Sequence, residues 1–252
     1  LIAGCAGRGA ESYINGGAGT GVDITSDDAK LTGFQVSGAT GVRARSHIGV
    51  EVKNNLINAL AAGIDAGTVV TTAPKNLELS GNCLNLASQA VNPTTPTVGV
   101  FLSGVSGVQA PVVSNNTIAG PFYGHMLYDV NATPATVISG GSITGAMQGV
   151  AILNIDPISL AAFAASKADV QNVTMSGFTG NHPALPNNNF HAGVYTFTGG
   201  PVTTATITST LFHLNISGTG KPNQESAGID NADFSTGAGN RQNITINECL
   251  IN

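Results

Sequence analysis

The chain has 252 residues, of which only 9% are charged, whereas about a quarter of residues are charged in a typical soluble domain. Its net charge is −5 and its nine Lys and Arg residues are scattered, so no basic surface is predicted that could neutralise the phosphates of a nucleic acid. No apolar run approaches the roughly 18 residues that a membrane-spanning helix requires, so neither nucleic acid nor a membrane span is expected.

The first 20 residues are rich in Gly and Ala, and they predict an irregular N-terminal cap or an incomplete first coil of the repeating structure that follows. Residues 21–252 predict one elongated domain, because a repeat runs through them without a break. The chain begins at Leu1 without the charged segment that opens a signal peptide. We therefore expect a mature protein or a piece of a longer one.

A six-residue pattern, here called the cassette, recurs eight times. It consists of an apolar residue, any residue, a Gly, Asn, Ser or Glu, two further residues and a second apolar residue. Its copies are Leu31–Val36, Val52–Ile57, Leu79–Leu84, Val113–Ile118, Ile138–Ile143, Val170–Met175, Ile207–Phe212 and Ile246–Ile251. Their starts are separated by as few as 21 residues (31 to 52) and as many as 39 (207 to 246). A constant core with variable insertions predicts a solenoid whose strands bend sharply at the central Gly or Asn.

A second series consists of a Gly that is followed in most copies by a β-branched residue. Its members are Gly21-Val22, Gly41-Val42, Gly63-Ile64, Gly99-Val100, Gly124-His125, Gly149-Val150, Gly193-Val194 and Gly228-Ile229. Because side chains alternate along a strand, the residue after Gly should point into the core and the next one outward. The outward residues form one column, here called the outer column: Asp23, Arg43, Asp65, Phe101, Met126, Ala151, Tyr195 and Asp230.

Two stretches carry a family resemblance: GVDITSDDAKLTGFQVSG at 21–38 and VKNNLIN at 52–58. From about Gly21 to Asn252 the chain resembles the right-handed parallel β-helix proteins of the pectin-lyase-like superfamily. The resemblance implies an all-β, right-handed parallel β-helix solenoid of about eight coils. That superfamily includes polysaccharide lyases and hydrolases, phage tailspikes, adhesins and surface proteins without enzymatic activity, so it implies an architecture rather than a chemistry.

Three insertions interrupt the repeats. Residues 86–98 and 178–192 contain several Pro residues and predict exposed loops. Residues 156–167 begin with Asp and Pro and continue with a run of helix formers, which is the order of an N-cap, a first turn and a helix body. We therefore expect one short helical insertion there, packed over the side of the solenoid.

The three cysteines, Cys5, Cys83 and Cys249, are expected to remain unpaired. Cys83 and Cys249 lie five coils apart, which is roughly 24 Å at about 4.8 Å per strand, whereas a disulfide needs Cα atoms within about 7 Å. If the N-terminus continues the stacking, Cys5 precedes Cys83 by two or three coils and is also too distant. The sequence therefore predicts three buried or sheltered thiols.

The densest charge cluster comprises Asp23, Arg43 and Asp65 of the outer column, with Arg45 and His47 further along the same strand face as Arg43. In pectin-lyase-like enzymes, residues on such an outer face bind Ca²⁺ or act as acid and base, and an Arg or Lys abstracts a proton. The resemblance therefore makes Asp23, Arg43 and Asp65 catalytic candidates. The alternative is a structural ladder in which charges alternate between neighbouring strands.

The hydrolase branch of that superfamily carries four motifs in successive coils, an Asn-Thr-Asp, an Asp pair, a Gly-His-Gly and an Arg-Ile-Lys. Only an Asp pair is present here, at Asp27 and Asp28, and the Arg- or Lys-centred lyase motif is not recognisable either. This pattern disfavours glycoside hydrolysis by paired carboxylates. The five histidines show no metal-ligand spacing, so no metal and no cofactor are expected.

Phe101, Met126 and Tyr195 form the most exposed apolar strip that the outer column predicts, which makes them candidates for contact with a ligand or partner. The alternative is that the insertion around Phe163 covers this strip. His125 falls at an inward position, where a hydrogen-bonded core histidine is expected.

The low charge, the regular repeats and the missing catalytic motifs favour a non-catalytic β-helix segment of a surface, adhesin-like or assembly protein, located outside the cell or at its surface. We expect its loops to contact a polysaccharide or protein partner. Two alternatives remain open: a polysaccharide lyase or hydrolase acting on the outer face, and a structural protein that self-associates end to end or forms filaments.

Overall fold

The computed structural model describes Cys5 and residues 12–67, 76–86, 96–107, 110–154, 165–178, 191–200, 206–218, 226–235 and 241–252. Every regular element in these residues is a β-strand. The first twelve are β1 (Ser12–Asn15), β2 (Thr20–Asp23), β3 (Lys30–Thr32), β4 (Phe34–Arg43), β5 (Glu51–Lys53), β6 (Leu56–Ala66), β7 (Glu78–Ser80), β8 (Cys83–Leu86), β9 (Val98–Gly107), β10 (Val112–Ser114), β11 (Thr117–Ala119) and β12 (Tyr123–Ala132). The others are β13 (Thr136–Ser139), β14 (Ser142–Thr144), β15 (Gln148–Leu153), β16 (Ala165–Gln171), β17 (Thr174–Ser176), β18 (His191–Gly200), β19 (Thr206–Phe212), β20 (Asn215–Ser217), β21 (Ser226–Ser235), β22 (Arg241–Asn247) and β23 (Leu250–Ile251).

The strands form two long parallel sheets. The 8-stranded sheet has the order β22-β19-β16-β13-β10-β7-β5-β3. In the 15-stranded sheet, one arm runs β9-β12-β15-β18-β21 and the other runs β8-β11-β14-β17-β20-β23, and both arms start from the long strand β6. Together the sheets nearly close around one hydrophobic core. This is a solenoid-like, all-strand arrangement that is compatible with a parallel β-helix.

The cassette places its two apolar ends in the core and turns the chain at its third residue. The first residue lies in the 8-stranded sheet, as in the pairs Leu31 with Val52 and Leu79 with Val113, and the sixth lies in the 15-stranded sheet. The third residues have φ between 51° and 76°: Gly33, Asn54, Gly81, Asn115, Gly140, Asn172, His213 and Glu248. The predicted bend is confirmed, and Gly and Asn suit it because they tolerate the left-handed backbone.

The position predicted for the seventh cassette is wrong. The register pairs Leu211 with Ile246 and Ile216 with Ile251, so this cassette is Leu211–Ile216 rather than Ile207–Phe212. Its turn residue is His213, with φ 51°, and histidine does not match a pattern that expects Gly, Asn, Ser or Glu. β19 is long enough to direct Ile207 into the core as well, which produced the false match.

The recurrent glycines mark positions where no side chain fits. A Cβ atom on Gly124 would lie 2.4 Å from the carbonyl oxygen of Gly149 and 2.7 Å from Cγ2 of Ile143. Here the backbone passes directly over an inward-pointing cassette residue and against the next strand. The glycine series therefore allows the close approach between the two arms of the 15-stranded sheet.

A ladder of buried amides runs through the interior at the fourth cassette position. It consists of Asn55, Asn82 and Asn116 and is called here the amide ladder. The Nδ2 atoms of Asn55 and Asn82 donate to the Oδ1 atom of the next Asn at 3.1 and 3.0 Å, and the backbone N–H groups of Asn55 and Asn82 donate to those same Oδ1 atoms at 3.0 Å. Each Nδ2 also donates to a backbone carbonyl in the preceding repeat, at 3.0, 2.8 and 2.9 Å: Leu31, Val52 and Leu79. The ladder satisfies these buried amides without water.

The prediction of three free thiols is wrong for two of them. Cys5 and Cys83 form a disulfide, with Cα atoms 6.0 Å apart, and Cys249 is free. β8 lies three strands from β1 in the pairing order, which is about 14 Å, and the seven residue steps from Cys5 to Ser12 can span up to about 24 Å. The prediction assumed that the N-terminus continues the stacking, whereas Cys5 reaches along the stack to the third cassette.

Of the helix predicted over residues 156–167, the described part is not helical. Ala165–Lys167 lie in β16, a strand in which buried and partly exposed residues alternate, and residues 156–164 lie outside the described residues. Strand pairing with β19 extends β16 in the N-terminal direction and overrides the local helix preference. Residues 87–95 and 179–190 of the two predicted loops are likewise outside the described part of the chain.

Candidate functional site

The strand register confirms the predicted outer column. Asp23 is opposite Arg43, and Arg43 is opposite Asp65. From there the column continues through Phe101, Met126, Ala151, Tyr195 and Asp230. The three charged catalytic candidates thus lie on adjacent strands, and they are called here the charged ladder.

Asp65 is neutralised within the protein. Nε and Nη2 of Arg45 donate to its Oδ2 atom at 2.9 and 2.5 Å, and the backbone N–H of Gly67 donates to Oδ1 at 3.3 Å. Only 7% of the Asp65 side chain is exposed. The hydrogen bond to this carboxylate raises the pKa of Arg45. Both carboxylate oxygens therefore have protein donors, and little of the group faces solvent.

Asp23 and Arg43 make a looser pair nearer the surface. Arg43 Nη1 lies 3.5 Å from Asp23 Oδ2, and the two side chains are 36% and 49% exposed. Ion pairs as exposed as this contribute little stability because water screens them. The Nε atom of Arg43 is buried and has no hydrogen-bond partner. Of the three candidates, these two can be reached from solvent.

Asp27 and His47 contact each other in the segments that follow β2 and β4. Asp27 Oδ1 accepts a hydrogen bond from the backbone N–H of Ile48 at 2.9 Å and lies 3.2 Å from His47 Nδ1. The hydrogen bond from the Ile48 N–H has the largest effect on the pKa of Asp27 and lowers it, and the hydrogen bond with His47 lowers it further. Its neighbour Asp28 sits in a turn with φ 56°. The backbone N–H of Asp28 also donates to the carbonyl of Ile48 at 2.7 Å, so the chain segments that follow β2 and β4 lie side by side.

The apolar strip is more buried than predicted. Met126 is 4% exposed, and Phe101 and Tyr195 are partly buried members of an apolar cluster on the outside of the sheet. Its rings contact in pairs, with centroids of Phe101 and Tyr128 5.2 Å apart. Alternation along a strand predicts on which side of the sheet a side chain lies. It does not predict which neighbours cover that side chain there. Phe163, which was expected to cover it, is outside the described residues.

His125 lies in the core, as predicted, but not with the expected hydrogen bonds. It is paired in register with Val100 and Val150, and its Nδ1 atom is buried without a hydrogen-bond partner. Burial lowers its pKa to about 4. The imidazole is therefore neutral at physiological pH and occupies a place that valine fills in the neighbouring repeats.

Sequence reasoning missed a second charged ladder on the outside of the 8-stranded sheet. Glu51 contacts Lys30 at 2.7 Å and Lys53 at 2.8 Å, and Lys53 contacts Glu78 at 2.5 Å. Hydrogen bonds from the two lysines lower the pKa of Glu51, and those to Glu51 and Glu78 raise the pKa of Lys53. Reading the residues on either side of the first cassette position would have found it, because those positions point outward in every repeat.

A shallow groove of about 340 Å³ was also missed. Asn58, Asn85 and Ser37 line it together with the exposed side chain of Leu60. Asn85 Nδ2 donates to Asn58 Oδ1 at 3.3 Å, so this outer surface carries a short amide pair of its own. Its three polar residues each come directly after the sixth cassette residue, at a position that also points outward.

Within the described residues, no group of three or more His, Cys, Asp or Glu side chains could hold a metal ion. The described part of the chain also contains no helix that is long and apolar enough to cross a membrane. Scanning the family models and searching the curated proteins and the solved structures produced no match to this chain.

Proposed function

We propose that the chain is a right-handed parallel β-helix of about eight coils, of the pectin-lyase-like kind, and a non-catalytic segment of an extracellular surface, adhesin-like or assembly protein. The repeated cassette, the all-parallel pairing and the amide ladder support the architecture. Loops on the outside of the coils contact a polysaccharide or protein partner.

The observation that carries the non-catalytic assignment is the state of Asp65. An acid or base must come within hydrogen-bond reach of the group whose proton it transfers. Asp65 instead uses Oδ2 for Arg45 and Oδ1 for Gly67, and its side chain is almost completely covered. Asp65 therefore serves to hold Arg45 and the backbone of Gly67 rather than to transfer a proton.

A polysaccharide lyase acting on the outer face is the second candidate, and one observation favours it. Arg43 is partly exposed, next to Asp23, and its buried Nε atom has no hydrogen-bond partner. An arginine beside a carboxylate on an open face is the residue type that this chemistry uses to abstract a proton.

A turnover screen separates the two candidates. The chain is incubated with pectin, alginate and related uronic-acid polymers, and unsaturated products and new reducing ends are measured. We expect no turnover from the chain or from Arg43→Ala. Turnover that Arg43→Ala abolishes, while its thermal unfolding stays cooperative, would establish the lyase and refute the non-catalytic assignment.

A further inference from the structure

The groove beside Leu60 is built from uncharged side chains. Asn58 and Asn85 lie next to each other on β6 and β8, and Leu60, which is 47% exposed, follows shortly after Asn58 in β6. Of the described residues that line the groove, none is charged. Its volume of about 340 Å³ lies near the lower limit of about 300 Å³ for sites that bind small molecules. The groove therefore has room for part of a neutral, polar ligand.

The amide pair leaves a donor and an acceptor free, side by side. Asn85 Nδ2 donates to Asn58 Oδ1 at 3.3 Å. Each asparagine side chain has a donor N–H₂ group and an acceptor oxygen. In the side-chain hydrogen bonds of the described residues, Asn58 Nδ2 has no acceptor and Asn85 Oδ1 has no donor. A ligand that accepts a hydrogen bond at one atom and donates from a neighbouring atom would satisfy both.

Two neighbouring hydroxyl groups of a sugar ring meet this requirement. A hydroxyl both donates and accepts hydrogen bonds, so one can accept from Asn58 Nδ2 while the next donates to Asn85 Oδ1. The C–H groups of the same ring are apolar, and Leu60 offers them an exposed aliphatic side chain. A sugar acid would lose the hydration of its carboxylate without meeting a cation among the described residues that line the groove. The chemistry of the groove therefore selects neutral sugars.

An extended peptide fits the groove less well. Peptides that add to a sheet pair with the backbone of an open strand edge. Over residues 56–59, β6 pairs with β4 on one side and with β8 on the other, and β8 pairs in turn with β11. The backbone groups beneath the groove are already used in the sheet, so a ligand there must be recognised by side chains.

We propose that this groove binds a neutral polysaccharide, with Asn58 and Asn85 holding two adjacent hydroxyls of one sugar ring and Leu60 contacting its C–H face. This names the polysaccharide partner of the proposed function and rests on that part of it. The groove lies on the arm of the 15-stranded sheet that continues through β8, whereas Asp65 lies on the arm that continues through β9. Binding in the groove is therefore independent of whether the charged ladder is catalytic.

Calorimetric titration of the full 252-residue chain with soluble neutral oligosaccharides of glucose, mannose and xylose tests the proposal. We expect at least one of them to bind, and oligogalacturonate, which carries a carboxylate on every ring, to bind more weakly. Asn58→Ala and Asn85→Ala should each weaken binding about three- to tenfold, because each removes one hydrogen bond to the sugar. Asn215→Ala, which changes an exposed asparagine of β20 on the same arm, should bind like the original chain.

A second measurement does not depend on whether the variants fold. When the bound sugar is added, the side-chain N–H resonances of Asn58 should shift in NMR spectra of the original chain, and those of Asn215 should stay in place.

Three results would overturn the proposal: no binding of any neutral oligosaccharide, equal or tighter binding of oligogalacturonate, or binding that neither Asn58→Ala nor Asn85→Ala weakens. Each of them refutes the sugar site alone. Turnover in the screen of uronic-acid polymers refutes the non-catalytic assignment alone, so the two failures can be told apart.

Discussion

The amide ladder and the charged ladder stack side chains in the same way but in opposite surroundings. Each consists of three polar residues stacked one above the next, the amide ladder at bends between strands inside the core and the charged ladder on neighbouring parallel strands of the outer face. The amide ladder is buried and hydrogen-bonded throughout, whereas the charged ladder runs from exposed Asp23 to covered Asp65. The contribution of such a ladder to stability therefore depends on how far water is excluded from it and not on the stacking alone.

The largest effect is expected from Asn82→Ala, at the centre of the amide ladder. This change removes Asn82 Oδ1, which accepts from the backbone N–H and Nδ2 of Asn55, and Asn82 Nδ2, which donates to Asn116 Oδ1 and to the Val52 carbonyl, all inside the protein. Since each unsatisfied buried group costs about 1 to 3 kcal/mol, we expect the free energy of unfolding to fall by about 3 to 5 kcal/mol. Denaturant unfolding measures it.

The matched control for that change is Asn85→Ala, three residues along in the same repeat. Asn85 is exposed and makes one amide contact of 3.3 Å, so its loss should change stability by less than about 0.5 kcal/mol. Equal losses of unfolding free energy for the two substitutions would show that the buried amide ladder stabilises the fold no more than an exposed amide contact does.

The next effect comes from His125→Val, which replaces a buried polar group that has no place in either ladder. The folded-state pKa of about 4 is below the ordinary value of 6.5. The unfolded chain therefore binds a proton first as pH falls, and stability that is complete above about pH 6.5 is lost progressively down to about pH 4. The loss amounts to about 3 kcal/mol.

Valine does not titrate, so the His125→Val variant should lose less stability at low pH than the original chain. Val100 and Val150 already occupy the equivalent positions on the neighbouring strands. Unfolding free energies of both chains at pH 7.5 and pH 4 give the comparison, in which all other groups cancel. The same loss of stability in both chains would mean that His125 is not the group responsible.

The smallest effects are expected within the charged ladder. Asp65→Asn keeps the size of the side chain but leaves Arg45 without its counter-charge, and we expect a loss of about 1 to 2 kcal/mol, reduced because Arg45 is partly exposed. Asp23→Asn should cost less than about 0.5 kcal/mol. Thermal unfolding at low and high salt measures both, and a larger loss for Asp23→Asn would invert the expected order.

The sequence was sufficient for the features that each repeat encodes locally. The bends at Gly33 or Asn54 follow from the cassette, and the outer column follows from the glycine series, because side chains alternate along a strand from a residue that recurs in every repeat. The seventh cassette was misplaced because His213 adopts a backbone conformation that glycine and asparagine usually fill.

Other features depend on contacts that no repeat encodes. The Cys5 disulfide joins a segment that precedes the first strand to the third cassette, so counting coils could not find it. The burial of Met126 depends on what lies against the outside of the sheet. The amide ladder was visible as Asn at the fourth cassette position, but three of eight repeats are too few to stand out as a pattern.

The disulfide between Cys5 and Cys83 changes how the N-terminal part of the stack can unravel. A stack whose repeats contact only their neighbours can lose them one at a time from either end. Here β1 and β2 cannot drift away while β8 holds, because the covalent link returns to the third cassette. The N-terminal strands therefore come loose only together with the third cassette, as one unit rather than one repeat at a time.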